Sequence, residues 1–326
     1  MPKLEGATVL VTGAGGFVGS AVVRALRERG AIVRMLSAPP PDITDRTALA
    51  ALSEGASIVI HLAGPPSVAA SFEAPAEYAR VHVVGTATVL EAAWKARVTR
   101  LVYVSSAEVY AHPQTELVAE EHPREARSPY GAAKIGAEEL VRGYYGALGG
   151  DAVVVRPFSL YGPGLAKGSV MGTILDAALH ARDVVLADLG PVRDYCFVDD
   201  AAAAIVRAAE IDAGGGTFNV GTGRGTSVGE LARIALEVLG SHAHVREDAT
   251  LRRPSRADVR RLVADTRRAR EELGWAATTS LEEGLERTAR SLLRAAGRGG
   301  ETTAVACVAG VRRSGMTRGR RARDRE

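Results

Sequence analysis

The sequence predicts an α/β protein: a doubly wound parallel sheet followed by a smaller second domain. Three observations lead there. Short runs of Val, Ile and Leu alternate with stretches of helical length along most of the chain. The first such run passes directly into a glycine-rich turn and then a helix. No segment repeats, and beyond about residue 160 the strand-like runs thin out. At 326 residues, 46% hydrophobic and 24% charged, the chain has the size and composition of one large or two modest globular domains.

The run from Ala7 to Thr12 reads as a buried strand. Gly13, Gly16 and Gly19 follow, enclosing Phe17 and Val18, and a helix runs from Ser20 to Arg29. Glycines let the backbone approach a pyrophosphate, and a helix N-terminus offers free N–H donors and a positive dipole end. This unit predicts dinucleotide binding. Ala31 to Leu36 is the second strand. An acid at its end would hold an adenosine ribose hydroxyl, but this chain has Ser37 there. Ala38 and three prolines come next, and prolines do not pair in a central strand. A third strand between Leu36 and Asp45 is therefore expected to be missing or vestigial.

Asp42 and Ile43 lead into a helix from Arg46 to Leu52. A buried strand from Ser57 to Leu62 runs into Ala63 and Gly64, so that the segment reads His61-Leu-Ala-Gly64. One long helix is expected from Glu77 to Ala96, containing His82 and Gly85-Thr86. The strand Arg100 to Ser105 places Ser106 at its C-terminal end, with Glu108 two residues on. Ligands of open parallel sheets bind at those ends.

Ser128-Pro-Tyr-Gly-Ala-Ala-Lys134 reads as a helix start. Ser128 suits the N-cap and Pro129 the first turn. Helix formers continue to Leu148, and Gly149-Gly150 ends the run. Tyr130 and Lys134 stand four residues apart, on one face. An ammonium one turn away favours the phenolate and lowers the tyrosine pKa, so the pair could move a proton to or from a hydroxyl. Ala152 to Arg156 is a strand leading through Pro157 and Ser159 to a Gly/Pro-rich exit. Gly172 to Ala181 is helical. Arg193 to Asp200 reads as one strand, followed by an Ala-rich helix to Glu210. A strand at Thr217 to Val220 and helices from Val228 to Leu239 and from Leu281 to Leu293 complete the pattern.

No apolar run reaches membrane-span length, and Met-Pro-Lys-Leu-Glu leads straight into a strand. A cytoplasmic protein with no membrane partner is expected. Two cysteines, Cys196 and Cys307, make neither a disulfide framework nor a metal site. Eight arginines and three acids lie between Gly297 and Glu326, a surplus larger than the net +3 of the whole chain. That Gly/Arg-rich tail reads as disordered, with no nucleic-acid role assigned to it.

The segments Thr12-Gly13-x-x-Gly16-x-x-Gly19, Asp42-Ile43, His61-Leu-Ala-Gly64, Gly85-Thr86, Ser105-Ser106, Tyr130-x-x-x-Lys134, Arg156-Pro157, Tyr161-Gly-Pro163, Arg193-Asp194 and Asp199-Asp200 occur in an order that resembles the extended short-chain dehydrogenase/reductase family, from about residue 7 to 290. Within it the likeness is to the nucleotide-sugar epimerases and dehydratases. The resemblance implies a Rossmann-type sheet shortened at its third strand, with residues 1–165 binding NAD and 194–222 returning to that domain. It implies a substrate domain from 166–193 and 223–296, leaving 297–326 as the basic tail.

It further implies that Tyr130 takes the proton of a sugar 4-hydroxyl while hydride leaves C4 for the nicotinamide. Lys134 would hold the nicotinamide ribose, and Ser106 would bond the same sugar oxygen. Gly13, Gly16, Phe17, Val18, Gly19, Ser37, Asp42, Ile43, Leu62, Ala63, Gly64 and Pro157 would line the cofactor. Arg193 and Arg253 would pair with the diphosphate of a nucleotide-diphosphate sugar. The chain departs from the family pattern at His82 and Ser159, where asparagines usually meet the substrate. Ser37 removes the acid that selects NAD, leaving NADP open. Ala107-Glu108 stands where dehydratases carry Asp-Glu, which weighs against 4,6-dehydration and keeps a C5 base or a decarboxylase reading in play. The leading expectation is a C4 epimerase working through a transient 4-keto sugar. A 4-ketosugar reductase and a non-catalytic dinucleotide sensor are the alternatives. The family also implies a homodimer formed by the helices from Glu77 and from Tyr130.

Overall fold

The computed structural model describes residues 4–36, 42–166, 168–211, 215–251 and 259–295. Ser37, Arg253 and the tail from Gly297 lie outside the described residues. In chain order the elements are β1 (Thr8–Thr12), α1 (Phe17–Glu28), β2 (Ile32–Met35), α2 (Arg46–Ser53), β3 (Ile58–His61), α3 (Val68–Glu73), α4 (Pro75–Ala79), a π-helical turn (Arg80–Val84) and α5 (Gly85–Lys95). Then come β4 (Arg100–Val104), a 3-10 turn (Ala107–Val109), α6 (Pro129–Leu140), a second π-helical turn (Val141–Gly146), β5 (Ala152–Pro157), β6 (Ser159–Tyr161), α7 (Val170–Leu179), β7 (Val184–Leu186), β8 (Val192–Arg193), β9 (Tyr195–Phe197), α8 (Val198–Glu210) and β10 (Gly216–Val220). The last are β11 (Thr226–Ser227), α9 (Val228–Val238), β12 (Val245–Glu247), β13 (Arg261–Leu262), α10 (Arg267–Glu272) and α11 (Leu281–Ala295).

Six parallel strands form the main sheet in the order β10-β5-β4-β3-β1-β2. The side chains alternate, as the pleat requires. Val9, Val11, Ile58, Ile60 and Val102 enter one core with α1 and α8. Leu10, Val59, Leu101 and Tyr103 enter the other with α2, α5 and α6. Burial on both faces explains why these strands read as unbroken apolar runs. The chain leaves β1 for β2 on one side and returns to β3 on the other. The C-terminal ends of β1 and β3 therefore flank the point where the winding reverses, where ligands of such sheets bind. Among the described residues β2 is an edge, bonded only to β1. The third-strand expectation rests mostly on residues 37–41, outside the described ones.

Three expected elements differ in the structure. The helix expected to continue to Leu148 is α-helical only to Leu140 and winds wider over Val141–Gly146. The long helix expected from Glu77 begins earlier and is broken. Ser67 caps α3 through the Ala70 N–H, Pro75 opens α4, and Arg80–Val84 is wound one residue wider than an α-helix before α5 resumes. The single strand expected from Arg193 to Asp200 is two short ones. Between them the Asp194 carboxylate accepts from the Thr222 N–H and hydroxyl and from the Gly223 and Ala264 N–H groups. Asp199 and Asp200 open α8 instead, where acids favour the positive helix end.

The described residues fall into two compact units. The first lies within Met1–Leu160, Val192–Thr226 and Arg253–Thr279, and the second within Tyr161–Pro191, Ser227–Arg252 and Ser280–Glu326. The first contains the main sheet. In the second, α9 packs with α7 and α11, and β7 pairs with β12 in parallel.

Candidate active site

The glycine turn after β1 is built by close approach. Gly13 has φ +74, and a Cβ there would lie 2.8 Å from the Ala63 nitrogen in the turn after β3. A Cβ on Gly19 would collide with the Gly13 carbonyl, so only glycine lets α1 start this close to the turn. α1 begins at Gly16 with no side-chain cap and no acid in its first turn. Its N-terminal end, at Phe17 and Val18, is thus left for an anion. These residues fit the diphosphate of a dinucleotide. Leu62, Ala63 and Gly64 border the same turn. Ile43 packs in the core against Gly85, where any side chain would overlap it. The Asp42 carboxylate is engaged by the Thr44 N–H and hydroxyl and by Arg80 at 2.5 Å.

Ser128 caps α6 through the Gly131 N–H at 3.0 Å, with Pro129 in the first turn. That cap fixes where the helix starts, and therefore where Tyr130 and Lys134 point. Tyr130 is 7% exposed and Lys134 4%. The Lys134 ammonium donates to the Val104 carbonyl at 2.9 Å and lies 5.1 Å from the Tyr103 ring centroid and 5.9 Å from that of Tyr130. Burial lowers its pKa to about 8, with the Glu138 carboxylate acting in the opposite direction. It is therefore charged at neutral pH.

The expected lowering of the Tyr130 pKa does not appear in the protein alone. Burial pushes the phenol up to about 12, the hydroxyl of Ser106 pulling it down and the charge of Glu108 pushing it up further. Lys134 sits over the ring face and spends a proton on Val104. The lowering thus needs charge beyond what the protein supplies.

Edge-on aromatic contacts brace the Tyr130 ring. His82 stands 5.4 Å away at 76° and Tyr78 6.2 Å away at 85°. His82 is buried in the π-helical turn, and its Nε2 lies 3.0 Å from the Pro65 carbonyl. Burial, then the charge of Lys134, holds its pKa down to about 3, so it is neutral. Gly64, at φ +145, leaves room for this ring; a Cβ would collide with it.

Ser106 caps the 3-10 turn through the Glu108 N–H. Glu108 is partly buried, 3.9 Å from the Arg127 guanidinium. Gly131 packs against the Glu108 backbone, where a Cβ would come within 2.8 Å of its carbonyl oxygen. The structure thus brings Ser106, Glu108, Tyr130, Lys134 and His82 together around the C-terminal ends of β3 and β4. Pro157 ends β5, and the Ser159 N–H beyond it bonds the Asp194 carbonyl at 2.9 Å. Arg193 donates to the carbonyls of Val192 and Val259.

A family model, NAD dependent epimerase/dehydratase family, matches residues 9–221. The chain belongs to that family. It is 34% identical to the UDP-glucose 4-epimerase of Mycolicibacterium smegmatis over 305 residues, covering 86% of this chain and 96% of that one. Among solved structures it is similar to the UDP-glucose 4-epimerase of Thermotoga maritima with UDP-glucose. There the TM-score is 0.81 at 29% identity, covering 89% of this chain and 99% of that one. MoeE5 in complex with UDP-glucuronic acid and NAD also gives 0.81, at 30% identity, covering 89% and 100%.

Within this member of the epimerase/dehydratase family, sequence reasoning missed several residues around the site. Glu138, fully buried, accepts a bidentate pair from Arg156 at 2.9 and 2.7 Å and a further bond from Arg124 at 2.9 Å. Arg156 also donates to the Tyr110 hydroxyl at 2.9 Å. The signal was present: Tyr130, Lys134 and Glu138 recur at four-residue spacing on one helix face. Tyr78, whose hydroxyl donates to the Ser67 carbonyl at 2.7 Å, was also overlooked.

Proposed function

We propose that this protein inverts C4 of a UDP-hexose, by oxidising the 4-hydroxyl to a transient ketone and reducing it from the opposite face. The observation that carries the reading is a buried Lys134 whose ammonium lies over the ring of Tyr130, beside a glycine turn suited to a dinucleotide diphosphate. Bound NAD supplies the hydride acceptor, and donor on return. Tyr130 takes the proton from the 4-oxygen in the first half-reaction and gives it back in the second. Ser106 bonds the same oxygen as it becomes a carbonyl, and Lys134 favours the phenolate by its charge. His82 and Ser159 face the sugar, and Arg193 binds the diphosphate, as we assign them. Glu108 holds a sugar hydroxyl, because inversion at C4 needs no base at C5. The relatives' UDP-glucose and UDP-glucuronate substrates support a UDP-sugar.

The test is mass spectrometry of co-purifying nucleotides, followed by incubation with UDP-glucose and UDP-glucuronate. Retained NAD and formation of the C4 epimer are expected. Net NAD(P)H consumption with a 4-keto sugar and no epimer would instead make the protein a reductase.

We also propose an isologous homodimer. Val84, Trp94, Tyr144 and Leu148 are exposed apolar residues on or just beyond the helices that would pair. Light scattering at micromolar concentration should give twice the chain mass; a monomer mass refutes it.

A further inference from the structure

His61 ends β3 flush with Thr12, its register partner at the end of β1. Both are fully buried, at the end of a parallel sheet where most positions are apolar. The Thr12 hydroxyl lies 2.6 Å from His61 Nδ1, and His61 Nε2 lies 2.9 Å from the Thr86 hydroxyl. The Thr86 hydroxyl reaches the His82 carbonyl at 2.5 Å, and the Ala63 N–H reaches the Thr12 oxygen at 3.4 Å.

Both ends of this chain have fixed roles. An amide N–H only donates, and a carbonyl only accepts. The one Thr86 proton goes to the His82 carbonyl, so the Thr86 oxygen must accept from His61. Nε2 therefore carries the imidazole proton. Burial, with the charge of Lys134 adding to it, holds the His61 pKa down to about 3, so the ring is neutral and Nδ1 is bare. Nδ1 accepts the Thr12 proton, and the Thr12 oxygen accepts from Ala63. Every proton has one place.

We propose that His61 is a positioning residue that ties the cofactor turn to the π-helical turn that braces Tyr130, through this one-way hydrogen-bond chain. One end is the Ala63 N–H, which packs against Gly13 so closely that a Cβ there would be 2.8 Å away. The other is the carbonyl of His82, whose ring braces Tyr130. The inference rests on the proposed acid/base role of Tyr130 for its catalytic half, and on the glycine turn alone for its dinucleotide half.

The test reads each end separately. Nitrogen-15 spectra of the histidine rings, assigned with His61→Gln, should show His61 protonated at Nε2 and bare at Nδ1 from pH 5 to 8. A proton on Nδ1, or titration in that range, overturns the proposal without any kinetic measurement. Thr12→Val and Thr86→Val each exchange a hydroxyl for a methyl at nearly constant shape. Loss of one buried hydrogen bond is read as a change of about tenfold. Thr12→Val should weaken NAD binding by about that factor, with kcat at saturating NAD within about twofold of wild type. Thr86→Val should lower kcat by about tenfold and leave NAD affinity within about twofold. Thr12→Ser and Thr86→Ser keep the hydroxyls and should restore both constants. A purely structural role predicts lower melting temperatures with neither constant moved, and that result refutes the proposal. Should a valine variant fail to fold, the wild-type tautomer measurement still decides. If wild-type protein turns over no UDP-hexose, the proposed reaction fails, while the tautomer and NAD-affinity results still judge the hydrogen-bond chain.

Discussion

Replacing Tyr130 by Phe removes one oxygen and keeps the ring. The edge contacts with His82 and Tyr78 depend on the ring alone. Folding stability should therefore change by no more than about 1 kcal/mol. NAD affinity should stay within about threefold, because only an interaction made in the transition state is lost. Turnover should fall by about 10²- to 10⁴-fold, the range for a positioned acid/base, which is about 3–5 kcal/mol of barrier. A pH profile tests the same reasoning from another side. In the proposed reaction the base works as phenolate, so turnover should fall as pH drops below the Tyr130 pKa. That pKa is about 12 in the protein alone, raised by burial. Bringing it near 7 takes about 7 kcal/mol of favourable charge beyond that of Lys134, which the oxidised nicotinamide would supply when bound. Lys134→Met should accordingly move the acid limb of the kcat profile to higher pH. The assay is a coupled measurement of C4 epimer formation from pH 5 to 10, with NAD affinity by calorimetry. Turnover of Tyr130→Phe within tenfold of wild type would refute the acid/base role. An unmoved limb in Lys134→Met would refute the charge argument.

Three further outcomes are expected. Glu108→Gln should lower turnover by less than about tenfold, with no solvent deuterium at C5 of the wild-type product; deuterium there, detected by mass spectrometry, would indicate C5 chemistry. Gly19→Ala drives a methyl into the Gly13 carbonyl and should cost about 1–3 kcal/mol of stability and abolish NAD retention, as read by thermal melts and bound-nucleotide analysis. Glu138→Gln leaves the buried Arg156 without its countercharge and should cost about 3–5 kcal/mol in urea unfolding. Burial alone would raise the Glu138 pKa, but Arg156 and Arg124 bring it below the usual 4.5. Its contribution is therefore present above pH 4.5 and lost as pH falls through the folded value, a dependence the Gln variant should lack.

The parts of the site set by local chemistry were legible in the sequence. Ser128 and Pro129 announce the start of α6, and with it the placement of Tyr130 and Lys134. The glycine spacing announces the turn after β1. What stayed hidden depends on partners distant in sequence. Nothing near His61 says that Thr12 will lie beside it, because that follows from the parallel register of β1 and β3. The broken helix was hidden for a different reason. Residues 76–95 contain no proline to break a helix, and widening one turn changes hydrogen-bond partners without changing composition. The sign of the Tyr130 shift was missed because spacing gives the distance to a charge but not the depth of burial.

The π-helical turn at Arg80–Val84 gives this segment one residue more than an α-helix needs to join the same two helices. Deleting any one of its five residues would let the helix close into ordinary α geometry, with every backbone bond still satisfied. The flanking parts would keep nearly their present orientation, because a wider turn takes up its extra residue with little net rotation or rise. Tyr78 and Thr86 would stay beside Tyr130 and His61, whereas His82 would lose the bulged position from which its ring meets Tyr130. The extra residue acts as an insertion that re-aims one side chain without moving the scaffold, so a deletion here should cost activity more than stability.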